Sequence, residues 1–262
     1  MKKLQAALWM EVLKMRRTRI FPISIYFFVF IGIMMGLLMF VGQHPEIAGR
    51  SATMSVKTSF LSGSSWMVFY NLLFQLILSV GVIGAGIITS WGFGREFSDR
   101  AVKDLLALPV PRSSIVLSKL VVLFLWSILL SIIMLAAAML TGLLIKIPGW
   151  TEGALSSFLG KYMACAVLNS LLITPVAFVA SAGRGYMLPI SFVILIMILT
   201  QLIFVGLPGF SVWFPWALPA MYSGVAGAGI PSPGMISYII YAITVLAGLF
   251  GTIAWWRFAD HK

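Results

Sequence analysis

LVVLFLWSILLSIIMLAAAMLTGLL, residues Leu120–Leu144, runs for twenty-five residues without a charged side chain. The hydrocarbon core of a bilayer, about 30 Å thick, is crossed by roughly 20 apolar residues of helix. This stretch has that length and leaves no polar face for water. Five further blocks share its character: Ile20–Val41, Trp66–Ser90, Phe158–Ala180, Met187–Gly206 and Met235–Trp256. The first block exceeds the 7–15 residues of a signal-peptide core and follows nineteen residues of patterned sequence, so it reads as a retained helix. The expected fold is an all-α membrane protein with six transmembrane helices.

Composition agrees. Of 262 residues, 61% are hydrophobic and 10% charged, where a soluble domain is about a quarter charged. The mean hydropathy is +1.05. The apolar blocks leave no room for a separate soluble domain, so residues 1–262 read as a single transmembrane domain. The net charge of +11 does not read as nucleic-acid binding, because Lys and Arg sit in short segments between the spans. Lys2, Lys3, Lys14, Arg16, Arg17 and Arg19 precede the first span, and Arg95, Arg100, Lys103, Arg112 and Lys119 separate the second from the third. Arg184 follows the fourth, and Arg257 and Lys262 follow the sixth, which puts 14 of the 18 basic residues on one side. Arg50, Lys57, Lys146 and Lys161 are left for the other. The positive-inside rule therefore predicts cytoplasmic N- and C-termini. Cys165, the only cysteine, lies inside a span and reads as a small buried hydrophobe.

Three segments fall outside the simple spans. In residues 1–19, Leu4, Leu8, Val12 and Met15 fall on one helical arc, with Lys3 and Lys14 elsewhere; a basic helix with a Trp suits the membrane interface. In residues 91–119, Ser98 is predicted to N-cap a short helix that Pro109 and Pro111 end, and Ser113 or Ser114 to cap the next. That short helix would present Asp99, Arg100, Lys103 and Asp104 outward, with Leu105, Leu106 and Leu108 on its apolar side. The uncharged segment 207–234, rich in Gly and Pro, reads as a re-entrant pair of short helices on the outer side before the last span. Trp213, Pro215, Trp216 and Pro219 mark it, and Trp213, Trp216 and Tyr222 suit the interface belt.

The run Arg95-Glu96, then Leu105-Leu106-x-x-Pro109-Val-x-Arg112, then Ser118-Lys119 resembles the cytoplasmic loop of ABC-2 type transporter permeases. Pro111 stands where that family more often has Ser or Thr, and Ala101 where Thr or Gly is common. The basic start, the six spans and Phe214-Pro-Trp-Ala-Leu-Pro219 extend the resemblance along the chain, most closely toward compact bacterial permeases of drug-efflux and antimicrobial-peptide self-protection systems. It implies a multi-pass permease of the bacterial cytoplasmic (plasma) membrane. It further implies a dimer with a second copy or a related permease, over two copies of a separate ABC ATPase subunit. Residues 95–112 would then be the coupling helix, with Glu96, Asp99, Arg100, Lys103, Asp104, Leu105, Leu106, Pro109 and Arg112 facing or shaping the ATPase contact. The chain has no G-x-x-x-x-G-K-[ST] phosphate loop, so ATP and Mg are expected on the partner and no cofactor on this chain.

Polar residues within the spans carry two readings, a substrate path or interhelical hydrogen bonding. Asn71 and Gln75 share a face of the second span, Asn169 and Thr174 lie in the fourth, and Thr200 and Gln201 in the fifth. Gly32 and Gly36 form a G-x-x-x-G close-packing face. No span carries a central acid, base or metal-ligand cluster, and His44 and His261 stand alone at edges. A catalytic site, a metal site and an ion-coupled transporter are therefore all disfavoured. The expected function is ATP-driven efflux of an amphiphile such as a peptide antibiotic, drug or lipid. The alternatives are a secondary transporter or channel, or a membrane anchor for a partner.

Overall fold

The computed structural model describes residues 2–44, 65–98, 111–227 and 229–258. Among them every regular element is helical. α1 (Lys2–Arg16) leads into α2 (Ile20–Gln43). The second span is one rod made of α3 (Trp66–Leu76), a π-helical turn (Ile77–Gly81) and α4 (Val82–Ser98). α5 (Arg112–Leu144) is the third; α6 (Glu152–Leu171) and α7 (Ile173–Ala182) make the fourth; α8 (Met187–Gly206) is the fifth. Two 3-10 turns (Pro208–Trp213 and Pro215–Ala217) and the short α9 (Leu218–Ser223) precede α10 (Met235–Phe258), the sixth. Among the described residues six helices are long and apolar enough to cross a bilayer, and they contain the six blocks read from the sequence.

All but the fifth of these helices overrun their blocks, and the cap of α5 differs from expectation. α4 continues to Ser98, and the short helix that this serine was expected to cap lies outside the described residues. α5 starts at Arg112, with Pro111 as its N-cap at φ −57°. The Pro111 carbonyl accepts from the amides of Ser114 at 2.9 Å and Ile115 at 3.3 Å. A proline sets φ for helix entry without needing a side-chain cap, so Ser113 and Ser114 fall inside the first turn. The fourth span breaks at Leu172, where ψ falls to 0°. Pro175 explains this: it has no amide to give the Leu171 carbonyl, and its ring crowds that oxygen.

Small residues set the closest approaches. A Cβ on Gly32 would sit 2.7 Å from the Met134 carbonyl oxygen, and one on Gly36 would run into Thr141. The G-x-x-x-G face is thus used within the chain, against α5. Gly248 of α10 lies likewise on the backbone of Thr174 and Pro175, where a Cβ would come within 2.8 Å of the Pro175 Cα. Phe69, Leu73, Phe93, Leu123, Tyr162 and Trp256 form the buried centre. Phe30, Leu125, Leu195 and Phe250 point outward from the bundle, as side chains do when the surrounding solvent is lipid.

One end of the bundle collects the basic residues. There the Ser90 hydroxyl donates to the Tyr186 carbonyl at 3.0 Å, and Gly94 abuts Gly185. Arg112 reaches the last carbonyls of α10, and Lys119 reaches α1. Lys146 lies beyond the opposite end of α5.

Candidate coupling site and membrane cavity

Four charges meet where α1, α4 and α5 join. The Lys119 ammonium lies 2.6 Å from Glu96 Oε1 and 3.2 Å from Glu11 Oε2, and donates to the Gly92 carbonyl at 3.1 Å. Lys14 adds a second cation, 3.2 Å from Glu96 and 3.4 Å from Glu11. Glu11, Glu96 and Lys119 are buried; Lys14 is half exposed. Withdrawing such ions from water costs several kcal/mol each, and only close pairing offsets it. Lys119 has its three donors matched by three acceptors. Burial pushes the Glu11 carboxyl up, but Lys119 and Lys14 outweigh it and hold the group below its ordinary value. Glu96 Oε2 is buried without a hydrogen-bond partner among the described residues.

Glu11 gains this position because Ala7, Glu11 and Met15, spaced four apart, form the buried face of α1. Leu8 and Val12 of the expected stripe are only partly buried against the core, and Trp9 stands exposed. The sequence reading passed over Glu11 and placed Lys14 only away from the apolar arc. The available signal was a lone acid in a basic helix, in register with Ala7 and Met15. Glu96 likewise points inward rather than toward a docking partner.

Arg112 is the second fixed post. One of its terminal nitrogens donates to the carbonyls of Trp256 and Arg257, each at 3.2 Å, which satisfies the end of α10. Trp256 is fully buried, and its indole donates to Ser181 Oγ at 2.9 Å. Asp99, Arg100, Lys103, Asp104, Leu105, Leu106 and Pro109 lie outside the described residues. On either side of them in the sequence, Glu96 is tied to α1 and α5 and Arg112 to α10.

A cavity of about 460 Å³ opens near the far half of the bundle. It gathers Gln75, Asn169 and Gln201, together with Thr200 and Trp216. Asn71 is exposed outside it. Thr174 is turned away as well; its hydroxyl donates to the Val245 carbonyl at 2.8 Å and ties α7 to α10. Asn169 donates through Nδ2 to the Ile77 carbonyl at 3.0 Å, at the π-helical turn, while its Oδ1 has no protein partner. A π turn displaces carbonyls from their usual donors and is frequent at functional sites.

The segment after α8 closes one wall. Trp216 lines the cavity and meets the Phe192 ring edge-on at 5.9 Å. Pro219 is buried, and its carbonyl faces the Cys165 thiol at 3.5 Å. Pro215 is half-buried, and Trp213 is exposed. Gly224, at φ 80°, ends α9 in the left-handed conformation that suits glycine.

Residues 7–201, from α1 into α8, match the family described as ABC-2 family transporter protein. The bacitracin transport permease protein BCRB of Bacillus licheniformis is 31% identical over 186 residues, which cover 71% of this chain and 88% of that protein.

Proposed function

The chain belongs to the ABC-2 transporter family as a multi-pass membrane permease, and from that premise we propose that it couples ATP hydrolysis by two copies of a separate ABC ATPase subunit to efflux of an amphiphile. The observation that carries this reading is that Glu96 and Arg112, which flank residues 99–110 in the sequence, are each fixed to other helices. A coupling helix built on Asp99, Arg100, Lys103, Asp104, Leu105, Leu106 and Pro109 would pass a push from the ATPase along two routes. One runs through Lys119 to α1 and α5, the other through Arg112 to α10. Glu96 and Arg112 act as positioning residues for that helix. α1 lies along the inner membrane face, and both termini are cytoplasmic because the basic end of the bundle faces inward. The functional unit is a dimer of this permease or a pair with a related one.

The cavity at Gln75, Asn169 and Gln201 is the proposed substrate site, with the segment 207–234 as its re-entrant outer closure. Its polar groups amid Met197, Phe204 and Val205 suit an amphiphile. The likeness to a bacitracin permease favours a peptide antibiotic as cargo. The test is reconstitution with a candidate ABC ATPase subunit. Glu96→Ala and Arg112→Ala should lower ATPase stimulation while the permease stays folded; unchanged assembly and stimulation would refute the coupling role. Transport that persists with a hydrolysis-dead partner would point to a secondary transporter. Asn169→Leu and Gln201→Leu should alter substrate range and leave ATPase assembly intact.

A further inference from the structure

Asn169, on the wall of the larger cavity, is only 5% exposed and carries one unspent acceptor. Its Nδ2 donates to the Ile77 carbonyl at 3.0 Å, so the carboxamide cannot turn over without breaking that bond. Oδ1 is thereby fixed as the other end, buried and without a hydrogen-bond partner among the described residues. An unmatched buried acceptor is costly, and a donor brought by a ligand removes the cost. Ser79 and Thr200 line the same cavity. Their hydroxyl protons are given within their own helices, to the Gln75 carbonyl at 2.6 Å and the Ile196 carbonyl at 2.7 Å. Both oxygens keep only lone pairs for a ligand. The carboxamides of Gln75 and Gln201 are exposed and can present either end, whereas the Trp216 indole can only donate. Among the described residues no charged side chain lines the cavity. An anion would meet three acceptors and no cation, and a cation would lack a counter-charge; burying an unpaired ion is costly either way. A peptide unit fits better. It sets an N–H donor beside a C=O acceptor and carries no charge.

We propose that this cavity seats an uncharged peptide unit of the cargo, its N–H donated to Asn169 Oδ1, with any charged group of the cargo kept outside. This rests on the cavity being the substrate site and adds what that site reads. The peptide carbonyl is met by a glutamine amide or the Trp216 indole, and Leu78, Met197 and Phe204 receive the flanking apolar side chains. The bond from Asn169 to Ile77, at the π-helical turn, holds the acceptor in place.

Equilibrium dialysis of the chain in phosphatidylcholine nanodiscs, with empty discs subtracted, tests this with four probes of one framework. N-acetyl-leucyl-phenylalanine amide is the uncharged peptide, and a second form is methylated at every nitrogen. The free acid is an anion, and the form without the acetyl group a cation. The uncharged peptide should bind at least about tenfold more tightly than the other three. Asn169→Leu should abolish the difference between the peptide and its methylated form, and Gln201→Glu should shift the preference toward the cation. A melting curve checks each variant, and the comparison of probes on the parent chain stands whether or not a variant folds. A methylated form that binds as tightly as the peptide would overturn the N–H contact. An ion that binds as tightly would overturn the requirement for neutrality, and failure of all four to bind would overturn the peptide unit itself. No shift in Gln201→Glu would place the probes outside the cavity. Whether the cavity is the substrate site is read separately, from the transported range of Asn169→Leu and Gln201→Leu.

Discussion

Removing the Lys119 ammonium strands Glu11 and Glu96 in a buried site where, among the described residues, the half-exposed Lys14 is the cation left paired with them. Breaking a buried pair from one side costs about 3–5 kcal/mol, so Lys119→Met should lower the melting temperature sharply in detergent. The double variant Glu96→Gln with Lys119→Met should recover part of that loss, since it leaves Glu11 beside Lys14. A Lys119→Met protein as stable as its parent would sink the coupled-cluster account. Acid should act through Glu11. Its carboxyl is held below the ordinary value of 4.5 in the folded chain. Its contribution is therefore full above that value and is lost as pH falls through the lower folded one. Amide exchange in α1, corrected for intrinsic rate, should show a loss of protection at that acid transition, and Glu11→Gln should lack the step. Single residues also mark where the sequence was opaque. Glu96 and Arg112 were visible through spacing and resemblance, but their inward anchoring was not, because Glu11 and the carbonyls of Trp256 and Arg257 come from distant parts of the chain.

Elements were more legible than contacts. Six apolar blocks announced six helices because lipid demands length and apolarity, both of which are local properties. Helix ends were not so plain: Pro111 replaced the expected serine caps, and Pro175 broke a block that is uniformly apolar. Close approach of helices gives the sharpest test at this scale. Gly248→Val must displace the Thr174–Pro175 backbone or part α10 from α7, and overpacking of this kind costs about 1–3 kcal/mol. Gly234→Ala, where a Cβ meets nothing within 4 Å, serves as the neutral control. Melting temperature and yield from membranes should separate the two. Equal behaviour would mean that α7 and α10 do not depend on that contact.

At the scale of the whole molecule the two ends differ in kind. One end gathers Arg and Lys around ion pairs and helix-terminal carbonyls; the other holds aromatic and proline-rich turns over a cavity. Trp216→Asp places a carboxylate in that cavity wall. Transport in reconstituted vesicles should fall while binding of the ATPase subunit is kept. Full transport by the variant would remove Trp216 from the path. The match of residues 7–201 to the family stops short of this segment, whose re-entrant reading came from its uncharged, Gly- and Pro-rich composition and from the resemblance at Phe214-Pro-Trp-Ala-Leu-Pro219. Of the candidate path residues, Gln75, Asn169 and Gln201 converge, whereas Thr174 serves helix packing. Helical spacing assigns a residue to a face of its own helix but does not say which neighbour will cover that face.

The π-helical turn at Ile77–Gly81 gives the second span one more residue than a regular helix would use over the same rise. A π turn widens to take up its extra residue, so the α-helical segments on either side keep nearly the relative azimuth of an unbroken helix. Deleting a single residue there would restore a regular helix, leaving Gln75 at its cavity and Glu96 in line with Lys119, and would remove the displaced Ile77 carbonyl to which Asn169 donates. Deleting a residue next to Glu96 instead would turn that carboxylate by about 100° from Lys119. The second span therefore holds one residue of slack, and Asn169 is fastened where the slack lies.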